Sequence, residues 1–201
     1  MKQGDFSTPV MTLQRNLQFL GYGKFIPTGY FGAKTKLAVL SYQKALGLPQ
    51  TGVFGQLEVS RMNSELIYKS TISFLGKDAS PNDAAPDEYG CADSVCGVLF
   101  NALFYPQIKW TVSTSQLYGQ LLTSRGYIQV QIPRRGDIII SPTGYGSGKL
   151  ANGHTGICGD NGLIFSNTSA IGKFEQNYNT TTWKDRYVTL GNFPVYYFRK
   201  L

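Results

Sequence analysis

The sequence predicts an α+β protein in two parts. Residues 1–63 form a small three-helix domain, and residues 64–201 form an α+β domain built on an antiparallel sheet. Three observations lead there. The pentapeptide TGYFG at residues 28–32 returns as TGVFG at 51–55, with helical apolar spacing before and between the copies. A stretch rich in Asp, Pro, Ser and Ala, KDASPNDAAPDE (77–88), then interrupts the pattern. Beyond it, one or two helix patterns give way to short strand-like runs.

Each element has a local reason. Thr8 can cap a first helix with Pro9 at its first position; Val10, Leu13, Leu17 and Leu20 line one face, and Gly21 ends it. In AKTKLAVLSYQKALGLP (33–49), Leu37, Leu40 and their apolar neighbours recur at helical spacing, with Gly47 as a stop and Pro49 beyond. SELIYKSTISFLG (64–76) reads as another helix, followed by helices over 90–104 and 115–122. The predicted strands are YIQVQI (127–132), GDIIIS (136–141), GHTGICG (153–159), LIFSN (163–167), YVTL (187–190) and VYYFRK (195–200).

A chain of 201 residues can bury a substantial core, and 42% hydrophobic with 15% charged residues excludes a disordered chain. No apolar run reaches membrane-spanning length, so no membrane insertion is expected. The net charge is +7, and residues 1–70 hold eight Lys/Arg against three Asp/Glu. Such an excess favours a polyanionic partner: nucleic acid, an anionic membrane face or an acidic wall polymer. Nucleic acid is poorly served, because no basic-aromatic motif and no dense Lys/Arg stripe is present. A monomer is expected. MKQGDFSTPV lacks the apolar core and cleavage site of a signal peptide, which points to synthesis in the cytoplasm.

Three cysteines and one histidine carry the chemistry. Cys91 and Cys96 lie five apart on a predicted helix, about 140° from each other around its axis, which disfavours a disulfide between them. Cys158 leaves an odd count. A C-x4-C spacing with a single histidine serves zinc badly, so neither metal nor cofactor is expected. Cys96 falls on the apolar side with Ala92, Val95, Leu99 and Leu103, and reads as core; Asp93, Ser94, Gly97 and Asn101 gather opposite. Cys91 sits at the first helical turn, where unpaired N–H groups and the helix dipole stabilise a thiolate and could hold a developing oxyanion. Cys91 is therefore the candidate nucleophile and His154 its base. Gly159-Asp160-Asn161-Gly162 is a hairpin signal. A two-residue loop there sets His154 opposite Asn167, whose amide can fix the imidazole tautomer; a different turn length would put Ser166 there. Cys158 shares the His154 face and reads as packing. The glycine-rich loop SPTGYGSGKLANG (141–153) can border a cleft, with Tyr145 as a candidate substrate contact.

Two resemblances add to this reading. VMTLQRNLQFLGY, TGYFGAKTKLAVLSYQKALGLPQ and TGVFG resemble the three-helix peptidoglycan-binding domain of cell-wall hydrolases. The matching positions include Leu13, Gln14, Leu17, Gly29, Phe31, Thr35, Gln43, Gly52 and Gly55; Thr28 and Thr51 depart from the usual Asp, and Tyr42 from the usual Phe. GCADSV, PRRGDIII, GHTGI and IFSN, in that order, resemble the NlpC/P60 and CHAP superfamily of papain-like cysteine peptidases and amidases. That likeness implies Cys91 as nucleophile, His154 as base and Asn167 as orienting residue, with Ala92, Asp93 and Asn167 leaning to the CHAP side. Together the halves resemble a bacteriophage endolysin, made in the host cytoplasm and acting on the peptidoglycan wall after release. The implied activity is cleavage of an amide in the peptide moiety. The alternatives are an autolysin or effector of the same chemistry, or a non-catalytic wall-binding or structural phage protein on the same scaffold.

Overall fold

The protein is described from a computed structural model covering residues 1–78, 90–103 and 105–201; most of the predicted 77–88 loop and Phe104 of the predicted 90–104 helix lie outside the described residues. The chain divides into two compact units, Met1–Met62 and Asn63–Leu201. Helices come first and an antiparallel sheet follows, so the fold class is α+β.

The first unit holds α1 (Thr8–Phe19), α2 (Ala33–Ala45) and the start of α3 (Gln56–Ser73). Ser7, one residue earlier than expected, caps α1 by accepting the Val10 N–H at 3.3 Å. Val10, Leu13 and Leu17 are buried as the spacing implies. On α2 the buried positions are Thr35, Ala38, Val39, Tyr42 and Gln43, while Leu37 points to solvent. The choice of face follows from the two repeated turns. Gln14 Oε1 accepts from the N–H groups of Thr28 and Gly29, and its Nε2 donates to Tyr30 O and Thr35 Oγ1, all within 2.8–2.9 Å. Gln43 does the same at the second turn: Oε1 accepts from Gly52 N–H, and Nε2 donates to Val53 O, Thr51 Oγ1 and Glu58 Oε1. Each turn thus closes around a buried amide that satisfies a buried glycine N–H, Gly29 in the first turn and Gly52 in the second. These contacts hold Thr35 and Gln43 inward, and Leu37 is displaced outward.

The second unit packs α4 (Cys91–Ala102) and α5 (Thr114–Thr123) against a six-stranded antiparallel sheet. Its strands are β1 (Tyr127–Val130), β2 (Ile138–Ser141), β3 (His154–Cys158), β4 (Leu163–Thr168), β5 (Lys173–Asn179) and β6 (Tyr196–Lys200), in the order β1-β6-β2-β3-β4-β5. One core joins Val95, Cys96 and Leu99 of α4 and Leu117 and Leu121 of α5 to Ile138, Ile140, Ile157 and Phe165 of the sheet. A second cluster joins Ile139, Cys158 and Ile164 to Trp183, Tyr187 and Phe193. Side chains alternate between faces along a strand, so Ile157 and Cys158 serve different clusters. Helix α4 is buried nearly all round: Asp93 and Ser94, on its polar side, are as inaccessible as Cys96.

The Gly136-Asp137 pair fixes the sheet centre. Gly136 has φ 82°, and a Cβ there would meet Ser64 O at 2.2 Å, so only glycine fits. Asp137 is fully buried and takes a two-pronged pair from Arg199 of β6, with Nη2–Oδ2 at 2.7 Å and Nε–Oδ1 at 3.0 Å.

Two sheet elements differ from expectation. KFEQNYN forms β5, an edge strand whose polar sequence lacks a strand signal. YVTL, predicted as a strand, belongs instead to a wide π-type turn over Lys184–Leu190 that continues the short α6 (Thr180–Trp183). Asn179 caps that segment, accepting from the N–H groups of Thr181 and Thr182. Trp183 and Tyr187, four residues apart, then share one buried side; that helical spacing overrides the β-branched appearance of the segment.

Candidate active site

Cys91 opens α4, and His154 opens β3. Both line one cavity of about 510 Å³, whose walls include Ser113, Thr143, Asn152 and Arg186. The 141–153 loop supplies Thr143, Leu150, Ala151, Asn152 and Gly153 to this wall. Tyr145 does not reach it among the described lining residues; it is exposed and rests edge-on against Tyr118 at 5.3 Å.

The Cys91 sulfur is approached by the backbone N–H groups of Thr155, Ala92 and Cys91 itself. The Thr155 amide follows His154 directly, so the sulfur lies against the β3 backbone next to His154, while the imidazole turns to the Cys158 face among Trp183 and Tyr187. Burial nonetheless outweighs these donors and pushes the Cys91 thiol up to about 11, against the thiolate expected from the helix start. The His154 ring is buried in an aromatic enclosure. It stacks on Tyr187 at 5.5 Å and 10°, with Trp183 at 5.5 Å and Tyr178 at 5.8 Å. Burial, and then the nearby Arg186 charge, push His154 down to about 3. At neutral pH both groups that line the cavity, the Cys91 thiol and the His154 imidazole, are uncharged.

This state predicts a pH profile. Alkylation of Cys91 by iodoacetamide should be slow at pH 7 and rise about tenfold per pH unit toward pH 11, because only the thiolate reacts. Mass spectrometry of the Cys91 peptide over a pH series checks it. A rate already at its plateau at pH 7 would mean an ion pair at rest.

Asn167 is not the partner of His154. The hairpin has a three-residue loop, Asp160–Gly162, closed by Gly159 N–H donating to Leu163 O at 2.7 Å; the left-handed residues are Asn161 and Gly162. The register is therefore Ile157↔Phe165 and Cys158↔Ile164, one residue away from the expected pairing. A one-residue slip exchanges faces. Asn167 goes to the Phe165 face, and Ser166 comes to the His154 face. His154 Nε2 lies 2.9 Å from Ser166 Oγ. It reaches diagonally past Gly156, where a Cβ would meet Phe165 O at 2.5 Å and Ser166 Cβ at 3.0 Å.

Ser166 Oγ in turn donates to Asn177 Oδ1 at 2.7 Å. The Asn177 amide is oriented by Nδ2, which donates to Thr168 Oγ1 at 3.1 Å. A hydroxyl has one proton, and here Asn177 takes it. Ser166 Oγ must then accept from His154, so Nε2 carries the imidazole hydrogen and Nδ1 keeps its lone pair. Sequence reasoning missed Asn177 because it is the extra residue of a β-bulge: Ile164 pairs with Tyr178 and Phe165 with Gln176. A bulge turns a side chain out of strict alternation.

The other thiols stand apart from this arrangement. Cys96 is buried with Sγ 3.6 Å from Thr111 O, and Cys158 is buried in the Trp183 cluster; all three cysteines are free.

Comparison with known proteins bears on the first unit. Residues 7–62 match a family model described as "Putative peptidoglycan binding domain". This supports association with the cell wall and peptidoglycan as the partner. No curated protein matches the chain. Among the described residues, no helix is long and apolar enough to cross a membrane.

Proposed function

We propose that the protein is a cysteine peptidase or amidase that cleaves an amide bond in the peptide moiety of peptidoglycan, with the first unit holding it on the wall. The observation that carries this reading is the shared cavity: a helix-start cysteine and the one histidine of the chain line it together, and a fixed tautomer leaves the imidazole Nδ1 with a free lone pair. A peptidoglycan-binding unit in the same chain supports the choice of polymer. Tethering to an insoluble substrate raises the local concentration of the second unit without any new contact. The setting this implies is that of a phage endolysin, made in the cytoplasm and acting at the wall.

In the proposed mechanism the Cys91 sulfur attacks the amide carbonyl as its proton passes to His154 Nδ1. The neutral resting pair means that transfer and attack occur together, with no preformed ion pair. Backbone N–H groups at the start of α4 stabilise the oxyanion. The imidazolium then gives its proton to the leaving amine, and the acyl group remains on sulfur as a thioester. Water, deprotonated by His154, breaks the thioester, releasing the acid and restoring the thiol. Ser166 and Asn177 are positioning residues that hold Nε2–H through both proton transfers.

Ser166→Ala leaves Nε2–H and Asn177 Oδ1 without each other's bridge. Its kcat/KM on soluble muropeptides should fall about tenfold to a hundredfold. Since the chain holds one histidine, ¹⁵N chemical shifts report its tautomer directly. Ser166→Ala should show mixed tautomers where the parent shows Nε2–H alone. Unchanged shifts with unchanged turnover would remove the relay from the mechanism.

The second reading, a wall-binding protein without catalysis, is favoured by the family match, which covers residues 7–62 alone. Incubating purified protein with peptidoglycan while following turbidity and new amino groups separates the two. Clearing supports the hydrolase, and pelleting with walls without clearing supports the binder.

A further inference from the structure

The cavity that holds Cys91 and His154 is electrically one-sided. Among its described lining residues Arg186 bears the one permanent charge, and no carboxylate stands among them. The rest of the wall is neutral, contributed by residues such as Ser113, Ser115, Thr143, Asn152 and Ser169. The guanidinium also lies against an aromatic ring. Arg186 Cζ lies 5.8 Å from the centre of the Tyr187 ring, the ring that stacks on His154. The Tyr187 and Tyr178 phenols, whose hydroxyls lie 3.2 Å apart, are close enough to push the guanidinium pKa up. An exposed guanidinium set against the Tyr187 ring and without an acid partner among the described ion pairs can offer its planar donor fork to a carboxylate.

We infer that Arg186 binds a free carboxylate of the substrate, so that the enzyme selects acidic peptides whose scissile amide lies close to that carboxylate. This rests on the hydrolase reading and narrows it, since it names the group that orients the chain across Cys91. A second effect follows from the same geometry. The Arg186 charge disfavours a protonated His154, and a bound carboxylate offsets it, so an acidic substrate brings its own correction to the base.

The test compares two synthetic stem peptides: one with the free α-carboxylate on its glutamyl residue, the other amidated at that position. With the parent protein, amidation should raise KM about tenfold to a hundredfold, with kcat lowered far less. Arg186→Gln should treat both peptides alike, at the KM of the amidated one, and Arg186→Lys should recover part of the preference. Equal KM values for the parent, or a preference that survives in Arg186→Gln, would overturn the assignment. Calorimetric titration of the two peptides into Cys91→Ala protein reads the same preference without turnover. If the parent cleaves neither peptide nor whole walls, the hydrolase reading fails. The titration then decides Arg186 alone: tighter binding of the acid form upholds the carboxylate site, and equal binding removes it.

Discussion

Replacing Cys91 with alanine should lower the release of new amino groups from purified walls by at least about 1000-fold, while the protein still sediments with the walls. The sulfur is the atom that forms the proposed covalent intermediate, and nothing at its position can stand in for it. Cys96 and Cys158 are sealed in the two apolar clusters and do not line the cavity. The substitution removes one sulfur atom at a helix start and leaves the backbone caps unchanged, so folding should change little. Turbidity clearing, amine release and a pelleting assay on the same samples provide the measurement. Equal clearing by parent and variant would take Cys91 out of the chemistry.

The second large effect is the reverse dissociation. Gln43→Ala removes a fully buried amide that makes four hydrogen bonds and leaves the buried Gly52 N–H without an acceptor and Glu58 Oε1 without its amide donor. Stranding such groups costs about 3 kcal/mol in total. A unit of about sixty residues buries too little surface to absorb that loss easily. Its melting transition should drop by roughly 10–20 °C. Wall pelleting should fail at temperatures where cleavage of soluble muropeptides continues. Calorimetry combined with pelleting checks this, and a transition unmoved by the substitution would mean that the turn closes without Gln43.

Glu58 adds to the same turn. Its carboxylate accepts from the Gln43 amide and the Gly55 N–H, which hold it below the usual range despite burial. Its contribution is present above the ordinary carboxylate pKa and is lost as the pH falls through the lowered value.

The first unit was legible because its signals are local and doubled. The repeated TG-x-FG turns, the glycine stops and the glutamines before them occur twice, and the folded unit uses each copy alike. The amphipathic reading was weaker on α2, where hydrogen bonding to the turns, and not apolar periodicity, chose the buried face. In the second unit Cys91 at a helix start and His154 at a strand start could be read from the chain. Their partner could not. Whether Ser166 or Asn167 meets the imidazole depends on a loop of two residues or three, a difference the run Gly159-Asp160-Asn161-Gly162 does not encode unambiguously. Asn177 lay further from reach, in a polar edge strand and at a bulge that no periodicity announces. The misread YVTL segment shows the same limit from the other side: its two β-branched residues suited a strand, while Trp183 and Tyr187 were already spaced as a helical pair.

The irregularity in β5 sets this site against the orderliness of its own sheet. Deleting one residue from that strand would let every rung close, and judged by ladder regularity the change would look like an improvement. It would also return Asn177 to the common alternation and withdraw it from Ser166. A designer smoothing this edge, or a lineage drifting toward a tidier one, would gain a neater scaffold around an imidazole with no fixed orientation.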